Sequence, residues 1–284
     1  MRLASYVTRG RSGFGAVVGN GVVDVRLRFA PRFASLLDVL REGALAEVKA
    51  GIAGVRPDYA LTEVELLRPI LRPDKIICVG ASLGDNAGDK RAEGGRFPNL
   101  FLRVPGSFVG HGQSILRPRE WREIDCEGEI ALVIGQPGRR VPPEQALDLL
   151  AGYTLCHAGT VRGFLPRGWH TITPTKNFDS SGSLGPWIVT GDEIDMSRPL
   201  RLISRINGEV WRDHTTTALP FSFAELISFV SIFITLEPGD VILTGTVAGA
   251  AERPDPPRSL KPGDVIETSV AEIGVLRNAV IDES

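Results

Sequence analysis

The sequence has no long hydrophobic run and few histidines or cysteines, and each shortage removes a class of protein. No stretch approaches the roughly 20 apolar residues of a membrane-spanning helix. Residues Met1 to Tyr6 carry no charged segment followed by an apolar core, which argues against a signal peptide. Three cysteines, Cys78, Cys126 and Cys156, cannot all pair and lie in or beside apolar runs, so they read as free thiols of a reducing compartment. There is no C-x-x-C pair, no H-E-x-x-H zinc helix and no G-x-S-x-G nucleophile elbow. No G-x-G-x-x-G joins a strand to a helix, so a nucleotide cofactor has no site. Charge of either sign is not in excess: 32 Lys+Arg face 34 Asp+Glu, a formal net charge of -2, and no basic run of the kind used on nucleic acid is present. What is left, 43% hydrophobic and 23% charged, is the composition of a globular enzyme, expected to be soluble and cytoplasmic.

At 284 residues the chain accommodates a small domain joined to a larger one. Residues 1–70 read as the small unit. Arg2–Thr8, Gly13–Val18 and Gly21–Val25 are short strands with a turn at Gly19-Asn20-Gly21, and the apolar spacing over Phe33–Ala50 predicts a helix. The proline-marked stretch Leu67 to Pro73 leads into residues 71–284. There the pattern becomes many short β-branched runs between Gly and Pro, from Lys75–Val79 to Gly274–Val280, with helices predicted at Pro143–Ala151 and Ser222–Phe233. Such spacing predicts an α+β, mostly β fold, with a barrel or rolled sheet rather than alternating βαβ units.

Four segments carry candidate chemistry. In Asp125-Cys126-Glu127-Gly128-Glu129, the two glutamates are two apart and would share one face of a strand that then turns wholly apolar. Like charges at the mouth of a buried strand repel unless a proton or a hard cation such as Mg²⁺ or Mn²⁺ neutralises them; a solvated strand end is the plainer alternative. Between Tyr153 and Phe164, Arg162 could hold a substrate carboxylate or pair with a surface acid, and His157 could act as ligand or base. Lys176, in Thr173–Asp179, could stabilise an oxyanion. Gly245-Thr246 closes a buried strand, where a backbone N–H and a hydroxyl can hold a carbonyl or carboxylate.

Taken in order, these segments resemble the fumarylacetoacetate hydrolase superfamily over about Leu71 to Ala279. The resemblance is carried by Lys75–Gly80, by Asn99–Arg103 with Pro105-Gly106-Ser107, by Glu127-Gly128-Glu129 with Ile130–Gly135, and by Lys176-Asn177-Phe178. Leu184-Gly185-Pro186-Trp187, Ile206-Asn207-Gly208-Glu209 and Thr235–Thr246 complete it. It implies a mixed β-roll catalytic domain, a homodimer, bound Mg²⁺ or Mn²⁺, and a β-diketo or 2-oxo acid substrate reacting through an enolate. Glu127 and Glu129 would then be metal ligands and, with Lys176 and Asp89, catalytic groups, while Arg162, Thr160, Asn86, Gly245 and Thr246 would bind substrate.

The departures from the pattern bear on mechanism. The aspartate that completes the family's metal triad falls on Ala158, a later aspartate on Gly163, and the catalytic histidine on Asn86, an amide without a usable pKa. Strand alternation would aim His157 away from the glutamates, and His111 sits in a glycine-flanked turn. The expectation is an enzyme of altered chemistry: cleavage, decarboxylation, tautomerisation or cyclisation through an enolate, with the two acids sharing a proton and metal in doubt. The alternatives are a metal-dependent hydrolase of the acylpyruvate type and a non-catalytic protein that keeps the pocket. Bulky residues around Phe97, Phe164–Trp169 and Trp211–Thr217 suggest a substrate larger than oxaloacetate.

Overall fold

The computed structural model describes residues 1–80, 97–165, 172–246 and 259–284. Its first strands, β1 (Arg2–Thr8), β2 (Arg11–Val18) and β3 (Gly21–Asp24), form the expected antiparallel meander. Three short helices follow, α1 (Val25–Phe29), α2 (Leu36–Arg41) and α3 (Leu45–Gly51). The single helix predicted over Phe33–Ala50 is thus two, because Gly43 takes a left-handed φ of 64° just past the end of α2. A reciprocal Ser35–Asp38 capping box starts α2, and Leu36, Val39, Leu40 and Val48 pack with Leu3, Ala16 and Ile188. Strands β4 (Tyr59–Ala60) and β5 (Glu65–Leu66) return the chain to β3 and β1.

The larger part supplies β6 (Ile76–Val79), β7 (Leu100–Arg103), β8 (Phe108–Val109), β9 (Ile115–Arg117), β10 (Ile124–Ile134), β11 (Leu150–Val161) and β12 (Gly182–Thr190). It continues with β13 (Arg201–Ile206), β14 (Glu209–Thr215), β15 (Val241–Leu243), β16 (Val265–Val270) and β17 (Gly274–Asp282). Its helices are α4 (Pro143–Ala146), α5 (Ile172–Lys176) and α6 (Phe223–Phe233). Among the described residues a twelve-stranded sheet runs β4-β3-β2-β1-β12-β11-β10-β15-β6-β7, with β5 on β1 and β8 on β12. A five-stranded sheet, β14-β13-β16-β17-β9, packs against β10 to β12. Most pairs are antiparallel, while β6–β15, β8–β12 and β9–β17 are parallel. This is the mostly β, α+β architecture that the spacing of short runs predicted. Residues 1–70 supply most of one apolar cluster, which Val133, Ala151 and Ile188 complete, and extend the same sheet through the pairing of Arg2 with Val189 and Leu3 with Ile188.

The helix predicted over Pro143–Ala151 is cut short. Leu149 turns its carbonyl to the N–H groups of Gly135 and Gln136, and Leu150 already pairs with Ile134, so the strand begins there. Helix α6 forms as expected, with Ser222 as its cap and Leu226, Ile227 and Val230 fully buried. Each such side chain contributes about 1.5–3 kcal/mol of hydrophobic stabilisation. The antiparallel β10–β11 ladder at the centre of the large sheet is what positions the candidate site.

Candidate active site

Asp125, Glu127 and Glu129 alternate along β10 and therefore share one face. Across the ladder, Thr160 stands opposite Asp125, Ala158 opposite Glu127 and Cys156 opposite Glu129. Gly128 points the other way, toward the second sheet. A Cβ there would lie 2.2 Å from Ser204 Oγ and 2.4 Å from Thr268 Oγ1, so only glycine lets the two sheets approach. Packing behind the strand thus dictates the residue between the acids, and pleating sends both carboxylates to the front.

Glu129 is 5% exposed. Burial, and then the neighbouring Glu127 carboxylate, push its carboxyl up to about 7. Lys176 and a backbone donor oppose that rise: Gly245, at a left-handed φ of 77°, donates its N–H to Glu129 Oε2 at 2.8 Å. A side chain at Gly245 would be strained by that φ and would meet the Val79 carbonyl at 3.1 Å. Lys176 ends α5 with Nζ 3.7 Å from Glu127 Oε2 and 5.6 Å from the Phe101 ring centre. Asn177 holds this lysine's segment to β7, accepting from the Val104 N–H at 2.7 Å and donating to the Leu102 carbonyl at 3.2 Å. A buried cation lies nearby in Arg103, which donates to the Gly159 carbonyl and to Ser107 and Ser181.

Two side chains of the Trp211–Thr217 segment, which sequence reasoning named only as a bulky region around the substrate, complete the cluster. Arg212 on β14 places Nη1 3.6 Å from Glu127 Oε1 and 2.9 Å from Thr246 Oγ1, to which it donates. His214, two residues along, lines a small cavity with Thr244 and Gly245, and burial lowers its pKa. A signal for them was present: Asn207-Gly208 after an apolar run is the strongest short hairpin signature, and it folds β14 back onto β13. The alternation of β14 then aims Arg212 at the acids while Trp211 packs into the opposite cluster with Ile206 and Ile266.

The structure brings Glu127, Glu129, Lys176, Gly245 and Thr246 together, but not every expected partner. Arg162 is engaged by Asp125, its Nε and Nη2 lying 3.0 and 2.8 Å from the one oxygen Oδ2. Thr160 shares the front face, its buried hydroxyl without a hydrogen bond among the described residues. The Gly245 N–H donates to Glu129, and the Thr246 hydroxyl oxygen accepts from Arg212. His157 faces away, as strand alternation requires; it lies 3.1 Å from Asn278 Oδ1 and burial lowers it to about 3, leaving a neutral ring in the core. His111 accepts from the Arg277 N–H and lines a separate cavity of about 490 Å³ beside Trp187. Phe164 stacks edge-on with Trp121 and Phe178, and Phe97 packs on Phe229, so these rings do not carry the expectation of a larger substrate. Asn86, Asp89 and Trp169 lie outside the described residues.

A divalent ion is a poor fit to the donors of the described residues. The third corner is the methyl of Ala158, 3% exposed, and among the described residues no three metal-ligating side chains converge. Each oxygen of Glu127 also faces a fixed cation, Lys176 or Arg212, which would repel Mg²⁺ or Mn²⁺.

Comparison with known proteins agrees with this frame. The family model for the fumarylacetoacetate (FAA) hydrolase C-terminal domain matches residues 75–281. A curated relative from Rattus norvegicus, named oxaloacetate tautomerase Fahd2a, mitochondrial, is 34% identical over 98% of this chain and 90% of its own length. Among solved structures, fumarylacetoacetate hydrolase from Exiguobacterium antarcticum is 31% identical with a TM-score of 0.80. Maleylpyruvate hydrolase from Sphingobium, in complex with manganese(II) and pyruvate, is 25% identical with a TM-score of 0.81. Both match over the full length of both chains.

Proposed function

The chain belongs to the fumarylacetoacetate hydrolase family and is an enzyme of enolisable oxo-acid chemistry; from that premise we infer that it is a tautomerase, moving a proton between carbon and oxygen of a 2-oxo acid. The observation that carries this reading is Glu129, a buried carboxyl near half-ionisation at neutral pH, beside a second carboxylate and an ammonium. A group so tuned both takes and returns protons efficiently.

In this reading a carboxylate of the pair takes the proton from the carbon next to the oxo group. The electron pair moves onto the oxo oxygen, where the Lys176 ammonium offsets the developing charge. Return of the proton to oxygen gives the enol, and return to carbon gives the keto acid. Decarboxylation of a β-keto acid also leaves an enolate, that of the product shorter by CO₂, whose oxygen the same ammonium would face. Hydrolysis asks for a base that activates water, a role closed to Asn86 at the resembling position. The manganese held by the Sphingobium neighbour belongs to that protein, and no step here depends on a metal.

A homodimer is part of the same reading, supported by an exposed apolar row of Phe97, Ile232 and Phe233 beside Phe229. A cytoplasmic location is supported by three free thiols, although the Rattus norvegicus relative is mitochondrial by name. The test of function is the decay of enol-oxaloacetate absorbance on mixing. The protein should accelerate it, and Lys176→Ala should slow it by on the order of 10²-fold. Equal decay with and without protein would remove the reading.

A further inference from the structure

The proton-transfer chemistry above makes no use of Arg212, yet this residue is placed and charged as a ligand group. Its side chain is 10% exposed, and it reaches the site from the outer strand of the second sheet, whereas the acids and Lys176 belong to the first sheet and α5. Among the described residues its one hydrogen bond is the 2.9 Å contact from Nη1 to Thr246 Oγ1. Among the described residues its Nε is a buried donor with no hydrogen-bond partner. The 3.6 Å approach to Glu127 is longer than a hydrogen bond.

A guanidinium offers five N–H donors in a planar fork matched to a carboxylate. Bracing Thr246 uses one of them. Lys176 and Arg212 approach opposite oxygens of Glu127, at 3.7 and 3.6 Å, so one carboxylate charge is shared between two cations. Among the described residues this nearly desolvated fork keeps unused donors, beside the Glu127 oxygen opposite the one that faces the ammonium.

We propose that Arg212 binds a carboxylate of the substrate and thereby restricts the site to 2-oxo dicarboxylates, with the enolisable end held between the acid pair and Lys176. The assignment of that end rests on the tautomerase reading; the anion fork does not. With Arg103 buried close by, the described cations outnumber the described acids of the cluster, which also favours a dianion over a monoanion.

Calorimetric binding of malate and lactate to the full chain isolates the claim, because these probes differ by one distal carboxylate. The unmodified protein should bind malate on the order of 10- to 100-fold more tightly than lactate. Arg212→Met should abolish that preference, and Arg212→Lys, which keeps the charge but not the fork, should retain only part of it. Unchanged far-ultraviolet circular dichroism and thermal unfolding of Arg212→Lys guard against misfolding. Equal affinity for both probes in the unmodified protein, or a preference that survives in Arg212→Met, would overturn the proposal. Malate selectivity without enol-oxaloacetate turnover would leave the fork in place and retire the tautomerase reading, while turnover without selectivity would do the reverse.

Discussion

Replacing Glu129 by glutamine should stabilise the protein, and only above acid pH. In the folded chain this carboxyl is raised from 4.5 to about 7, chiefly by burial and next by Glu127. Between those values the unfolded chain has lost the proton that the folded chain still holds. The folded state therefore binds more protons, and stability falls as pH rises through this window. Relative to the protonated form, the gap from 4.5 to about 7 corresponds to about 3 kcal/mol, fully lost by about pH 8. Glutamine mimics the protonated acid, can still accept the Gly245 N–H, and does not titrate. Urea unfolding of the two proteins from pH 4.5 to 8.5 should give equal stabilities at the acid end. The variant should gain about 3 kcal/mol at the alkaline end. In a Glu127→Gln background the window should narrow, because the second cause of the rise is gone. Parallel stability curves across this range, or a Glu129→Gln protein less stable than its parent at pH 8, would refute the reasoning.

Two further outcomes follow from the same face of β10 and from its back. Ala158→Asp would set a third carboxylate opposite Glu127, and Mn²⁺ affinity read by calorimetry should rise by at least about tenfold; no gain would mean that the acids do not converge on that corner. Gly128→Ala should cost about 1–3 kcal/mol in urea unfolding, because its methyl meets Ser204 and Thr268 of the second sheet; an unchanged midpoint would place the sheets farther apart.

Much of this arrangement was legible in the sequence where local pattern and tertiary need coincide. Period-two spacing put Glu127 and Glu129 on one face and His157 on the other, and the ladder register agrees. Glycine- and proline-bounded runs gave most strands of the large sheet, although β10 and β11 extend well beyond their apolar portions. Polar residues at Asp125 and His157 hid those extensions, since pairing with neighbouring strands outweighs hydrophobicity there. Strand β14 was missed for the same reason. Glu209, Arg212, Asp213 and His214 break the apolar alternation, and only the preceding Asn207-Gly208 turn marks the hairpin. Arg212 and His214 were therefore included only as part of the Trp211–Thr217 segment and given no role. Local pattern could not tell that Arg162 would be captured by Asp125, two positions before Glu127, because that pairing depends on where β11 ends.

The central claim is that the acid pair beside Lys176 moves the proton on the carbon next to an oxo group. Hydrogen–deuterium exchange at C3 of oxaloacetate, followed by nuclear magnetic resonance in D₂O, tests it most directly. The protein should accelerate exchange over buffer, with a rate that rises through a pH near 7 as Glu129 loses its proton, and Glu129→Gln should remove that inflection. No acceleration, or the same pH profile in Glu129→Gln, would contradict it.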